Sequence, residues 1–199
     1  MRFHLGPPPN SLSDEELHSG EWHRVTYLPL WALHLLSFLL GLLLAFVIFV
    51  VWIALAPGFE ISPAPGYQVC AALISVPLAG VLLPVLLHPR MGMSNSTIFG
   101  IWPSKLTPYT ACTVKLRKRR AIATLLLPIA LFVILPLLFA AAMNISSGWL
   151  VFISCYAALL FGYYPMLALV WAYKIPSGAM IAGRGFETYW HSSVENKNV

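Results

Sequence analysis

The sequence predicts an all-α polytopic membrane protein with four transmembrane helices and both termini cytoplasmic, and three observations carry that prediction. From Ala121 to Tyr173 there is no Asp, Glu, Lys or Arg, and between Tyr27 and Pro89 Glu60 stands alone. Hydrophobic residues make up 59% of the chain and charged residues 10%, with a mean hydropathy of +0.77; soluble domains carry roughly 25% charge. All 12 Lys and Arg fall in segments that a four-span arrangement puts on one side.

At about 20 residues per crossing of a ~30 Å hydrocarbon core, the spans are Leu28 to Leu55, Tyr67 to His88, Ala121 to Met143 and Trp149 to Tyr173. They must be helical, because hydrocarbon cannot satisfy an unpaired backbone. The first is too long and too internal for a removable signal peptide. The chain thus divides into a cytoplasmic N-terminal segment 1–27, a membrane domain 28–174 with a cytoplasmic loop 89–120, and a cytoplasmic tail 175–199. The basic residues set this orientation by the positive-inside rule. A multi-pass protein of the bacterial inner membrane is expected.

The elements follow in order. Gly6-Pro7-Pro8-Pro9 is an extended lead, and Ser13-Asp14-Glu15-Glu16 has the form of a capping box starting a short helix. Trp22, Tyr27 and Trp31 are placed at the membrane interface. Proline and glycine make Pro57 to Gly66 a compact outer connection. Pro77, Gly80 and Pro84 in the second span, and Pro128 and Pro136 in the third, predict kinks or local irregularity. In the central loop, Ser94-Asn95-Ser96-Thr97 followed by apolar residues suggests a turn and a strand or hairpin lying on the membrane.

Chemistry is scarce. Cys70, Cys112 and Cys155 form no C-x-x-C pair, which argues against a disulfide framework or thiolate metal site. Buried ionisable groups in a membrane are functional candidates because they are costly. Only His34, in the first span, and His88, at the end of the second, qualify. His34 is the candidate cofactor-binding residue, able to ligate a pigment metal or haem, with a packed structural histidine as the plainer reading. His88, beside Pro89 and Arg90, is read as an interfacial residue at a helix C-terminus, a place that favours a cation. No span contains a carboxylate, which argues against an aspartyl protease and against a proton- or ion-coupled pump. No G-x-S-x-G occurs. The basic run Lys115, Arg117, Lys118, Arg119 and Arg120, together with Trp102, is the candidate lipid- and partner-binding surface. Nucleic acid is not expected, since the cluster abuts a membrane and no reading module accompanies it.

Three stretches resemble the membrane zincin peptidases, a family of small integral membrane proteins. They are Gly20-Glu21-Trp22-His23-Arg24-Val25, then His88-Pro89-Arg90-Met91-Gly92 leading to Ile98-Phe99-Gly100-Ile101-Trp102-Pro103-Ser104, and Leu116-Arg117-Lys118-Arg119-Arg120. The resemblance implies a second span bearing His-Glu-x-x-His, whose i, i+4 imidazoles hold zinc while the Glu activates water. This chain has no such motif; with His88-Pro89 as the fixed point, it would fall near Gly80, Val81 and Pro84. The expectation is a degenerate member without catalytic residues, metal or cofactor, working beside other membrane subunits. A divergent zinc metallopeptidase and a pigment-, haem- or lipid-binding subunit using His34 are the alternatives.

Overall fold

The computed structural model describes residues 1–19, 21–25, 30–55, 65–105, 107–143, 147–185 and 187–192. Tyr27, most of the outer connection expected at Pro57 to Gly66, and residues 186 and 193–199 of the expected tail lie outside these residues. The described chain is mostly helical, but it also forms two small sheets, which corrects the all-α expectation. It divides into two compact units, one of Met1–Tyr27, Val81–Thr124 and Ala168–Val199, the other of Leu28–Gly80 and Leu125–Leu167.

The second of these units is helical. Helix α2 spans Leu30–Leu55, and α3 spans Gly66–Leu82 and tightens into a 3₁₀ turn at Leu83–Leu87. Helix α4, Lys118–Ile129, passes through a π turn at Ala130–Ile134 into α5, Leu135–Met143. Helices α6, Gly148–Phe161, and α7, Tyr163–Lys174, are bent by 48° at the intervening Gly162. Among the described residues three continuous helices are long and apolar enough to cross a membrane, His34–Leu55, Gly66–Leu87 and Lys118–Met143, and the bent pair makes up to a fourth.

Buried side chains at helical spacing join these helices: Ile48 and Trp52 on α2, Ala72 and Val76 on α3, Ala157, Ala158 and Phe161 on α6. The crossing of α2 and α6 is set by glycine. A Cβ on Gly41 would lie 2.1 Å from the Leu159 carbonyl oxygen, and one on Gly162 would lie 2.6 Å from the Gly41 Cα. The backbones touch there, the close approach that small residues permit in membrane helices. Pro77 shows how the expected irregularities are absorbed. Having no N–H, it leaves the Leu73 carbonyl one turn earlier without its helical donor, and the Tyr156 hydroxyl donates to that carbonyl at 3.3 Å.

The other unit holds the strands. Its first sheet has the order β1-β3-β4, from Arg2–Leu5, Thr97–Trp102 and Thr107–Cys112. Strands β3 and β4 form the hairpin the central loop suggested, and β1 adds in parallel to β3. The second sheet has the order β2-β7-β6-β5, from His23–Arg24, Glu187–His191, Met180–Arg184 and Leu116–Arg117. Short helix α1, Asp14–His18, carries the predicted capping box in full: the Ser13 hydroxyl accepts from the Glu16 amide while the Glu16 carboxylate accepts from the Ser13 amide. Leu12, Leu17 and Trp22 pack with Ala182 and Tyr189 as a small core. Trp22, expected at the membrane interface, is half-buried against this core, its ring tilted on that of His191 with centroids 5.3 Å apart. Where β5 ends, Ser11 takes over the free edge of β6, exchanging hydrogen bonds with the backbone of Gly183 at 2.7 to 2.8 Å.

Candidate functional site

The basic run folds as two residues of strand followed by the first turn of a helix, since β5 holds Arg117 and α4 begins at Lys118. Cations in a helix's first turn oppose its dipole. Two of them find compensation at the C-termini of other helices, where four carbonyls per helix lack intrahelical donors. The Lys118 ammonium donates to the carbonyl of Ala172, at 2.7 Å, and to that of Ile175, at the end of α7. The Arg120 guanidinium donates to the carbonyl of Leu87 and, at 2.9 Å, to that of His88, just after the 3₁₀ turn that ends α3. Lys115 reaches another segment altogether: its ammonium pairs with the Glu16 carboxylate at 2.5 Å and lies 5.1 Å above the Trp22 ring. That contact holds Glu16 below the usual carboxylate range, first through the Lys115 hydrogen bond and then through the Ser13 amide.

Three of the five predicted basic residues are thus fasteners. Arg117 and Arg119 are exposed, and their side chains make no ion pair or hydrogen bond among the described residues. Trp102 is half-buried at the opposite end of β3 from Thr97, whose partner Cys112 leads into the basic run. At about 3.3 Å per residue the strand keeps Trp102 roughly 17 Å from that end, so the structure does not gather Trp102 with the cations.

His88 is 4% exposed, its Nδ1 lies 3.4 Å from the Thr97 hydroxyl, and Arg120 holds its carbonyl. Burial first, and the nearby Arg120 charge second, push its pKa below 6.5. The cation expected at this helix end is therefore supplied by Arg120, and His88 is a buried neutral ring. His34 lies exposed on α2, in a row with Trp31, Leu35 and Phe38. A pigment or haem ligated there would sit on the outside of the helix. Among the described residues no three His, Cys, Asp or Glu side chains gather as a metal site.

The sequence pointed to cations without separating spent from free ones. Their partners Glu16 and Asp14 were legible only as helix caps, yet Asp14 pairs with Arg184 at 2.6 Å, Glu187 with Arg24 at 2.6 Å, and Glu21 with His191 at 3.2 Å. These pairs tie the N-terminal segment to the C-terminal strands.

No protein-family model, curated protein or solved structure matches this chain. The zincin resemblance thus stands on its quoted residues. Zinc does not fit where the family's motif would lie. Val81 and Pro84 offer no ligand, and a side chain at Gly80 would meet the Phe161 ring at 2.1 Å, so that position is already filled by packing.

Proposed function

We propose that this chain is a non-catalytic integral membrane protein with four spans and both termini cytoplasmic, a structural or accessory subunit of an inner-membrane complex. The observation that carries the reading is the sheet β2-β7-β6-β5, which joins the N-terminal segment, the central loop and the C-terminal strands. Segments that share a sheet leave the bilayer on one side, and that requires an even number of crossings between each and the next. Four spans supply it, and the one-sided placement of the cations makes that side cytoplasmic.

The ionisable side chains support a holding role over a reacting one. Asp14, Glu16, Glu187, Lys115, Lys118, Arg120 and Arg184 are engaged with one another or with helix carbonyls. Arg117 and Arg119 stay available for anionic headgroups or an acidic partner, at about 1 kcal/mol per basic residue near an anionic surface. The outward side of α2, with Leu39, Leu42, Leu43 and Phe46 exposed, offers apolar surface to lipid or to a helix of another chain. In this reading the zincin-like stretches are a frame that has lost its active site.

The test is purification in a gentle detergent with mass spectrometry of the co-purifying chains. Recovery of a fixed set of membrane proteins, weakened by salt and by joint Arg117→Gln and Arg119→Gln replacement, is the expected result. A chain that purifies alone and monodisperse from membranes containing every candidate partner would end the accessory-subunit reading. Stoichiometric zinc with peptide cleavage would end the non-catalytic one.

A further inference from the structure

We propose that one face of the β1-β3-β4 sheet is embedded in the lipid bilayer, at the boundary between headgroups and acyl chains. The pairing register sets Phe3 beside Phe99, Leu5 beside Ile101, Thr110 beside Phe99 and Pro108 beside Ile101. Alternation along a strand then gathers these six side chains on one face. Its outer part is open: Phe3 is 64% exposed, Leu5 66% and Ile101 38%. The Phe3 and Phe99 rings lie side by side with centroids 6.1 Å apart.

The opposite face is covered by the chain at its centre and carries the exposed polar side chains of Arg2 and His4 at its β1 edge. Tyr109 is buried there against Gly100, and its hydroxyl donates to the Pro7 carbonyl at 3.3 Å. A small sheet normally turns its apolar face inward and its polar face to water. Here the apolar face is left open, while the opposite one shows Arg2 and His4 and buries Tyr109.

Its surroundings identify the occupant. Thr110 belongs to this face, and its hydroxyl donates at 2.9 Å to the carbonyl of Val81. Val81 lies six residues before Leu87, where the apolar helix Gly66–Leu87 ends. At ~1.5 to 2 Å of rise per residue that is roughly 10 Å inside the helix end. The sheet face therefore lies against the last turns, from Val81 on, of a helix that itself requires lipid. In those same turns Leu82 and Leu86 are exposed apolar side chains. At the end of the same helix Met91 and Met93 are 72% and 86% exposed, next to exposed Arg90. Methionine beside arginine suits the acyl boundary and the phosphate layer together. The outer edge of β1 has no strand partner among the described residues. Open strand edges do not occur in the hydrocarbon centre, which fixes the depth at the boundary layer.

The proposal concerns the chain alone in lipid and does not depend on whether it serves a complex. The experiment places single nitroxide labels at Phe3→Cys, Leu5→Cys and Ile101→Cys, with His4→Cys as the opposite-face control. The protein is reconstituted into phosphatidylcholine vesicles with and without phosphatidylglycerol. Oxygen should relax the labels at 3, 5 and 101 more than a water-soluble nickel chelate does, with the order reversed at 4. Greater nickel access at 3, 5 and 101 would overturn the proposal, because the face would be in water. Shielding from both reagents would overturn it too, since a second copy or another segment would cover it. Because labels could disturb folding, the wild-type chain in the same vesicles is photocrosslinked to phospholipid bearing a diazirine near the ester end of its acyl chain. Adducts on Phe3 to Leu5 and Phe99 to Ile101 are expected; adducts confined to the long helices would reject the proposal.

Discussion

A cation in the first turn of α4 opposes that helix's dipole, so Lys118 and Arg120 draw stability from the carbonyls at the ends of other helices. Arg117 and Arg119 stand in the same run and touch no such group among the described residues. Replacing Lys118 or Arg120 by Gln should therefore destabilise the fold by about 1.5–3 kcal/mol, the range for a hydrogen bond to a charged group. The matching changes at Arg117 and Arg119 should be near neutral, with thermal unfolding in detergent as the measure. The run was legible as basic from sequence alone. Which members were already engaged was not, because that depends on where α7 ends, more than fifty residues along the chain. His88 gives a second residue-scale expectation. Its folded-state pKa is lowered, so at pH above 6.5 the ring is neutral folded or unfolded and costs nothing. As pH falls below 6.5 the unfolded chain takes a proton that the folded one resists, and stability drops. Hydrogen exchange of Thr97–Cys112 should accelerate on that descent, and His88→Gln should flatten the dependence. An unchanged acid slope in the variant would show that another group sets it.

At the scale of elements, the helices were legible because lipid imposes length and apolarity on them. The outer strands were not. β2 and β5 are two residues each, and β2 pairs with a strand more than 160 residues away. No local alternation can announce such pairing, whereas β3 and β4 are neighbours in the chain, and the turn at Ser94 to Thr97 that leads into β3 was legible. Glycine at the α2–α6 crossing is an element-scale feature that composition hides. Gly41→Ala or Gly162→Ala should cost about 1–3 kcal/mol, as overpacking does, because the added methyl meets backbone that must move. Gly66→Ala is the control: an added Cβ there meets nothing within 4 Å, so no loss is expected. Equal gains at all three sites in a detergent unfolding assay, the sign that the higher helix propensity of Ala alone would give, would remove the crossing as the determinant.

At the scale of the whole molecule, the sequence grouped the basic segments before the structure showed which residues join them. The cations marked three segments as equivalent, and the strands join those same three segments. The lipid-level sheet face was not legible, since Phe3 and Leu5 become a surface only once β1 lies beside β3. The same geometry yields a topology test. If the segments that share a sheet emerge together, cysteines placed at Asn10 and Ser104, both exposed, should react with an impermeant maleimide only in inside-out vesicles. A cysteine at Ser62, in the connection between the first two apolar helices, should react only in intact cells. The two outcomes are coupled, because an odd number of crossings between the N-terminal segment and the central loop would expose one of them on the outer face. It would also forbid β1 from pairing with β3. Outside labelling at 104 with inside labelling at 10 would therefore remove the four-span arrangement and the first sheet in one measurement. Labelling of 10 and 104 together on the outside would keep the sheet and reverse the orientation that the cations set.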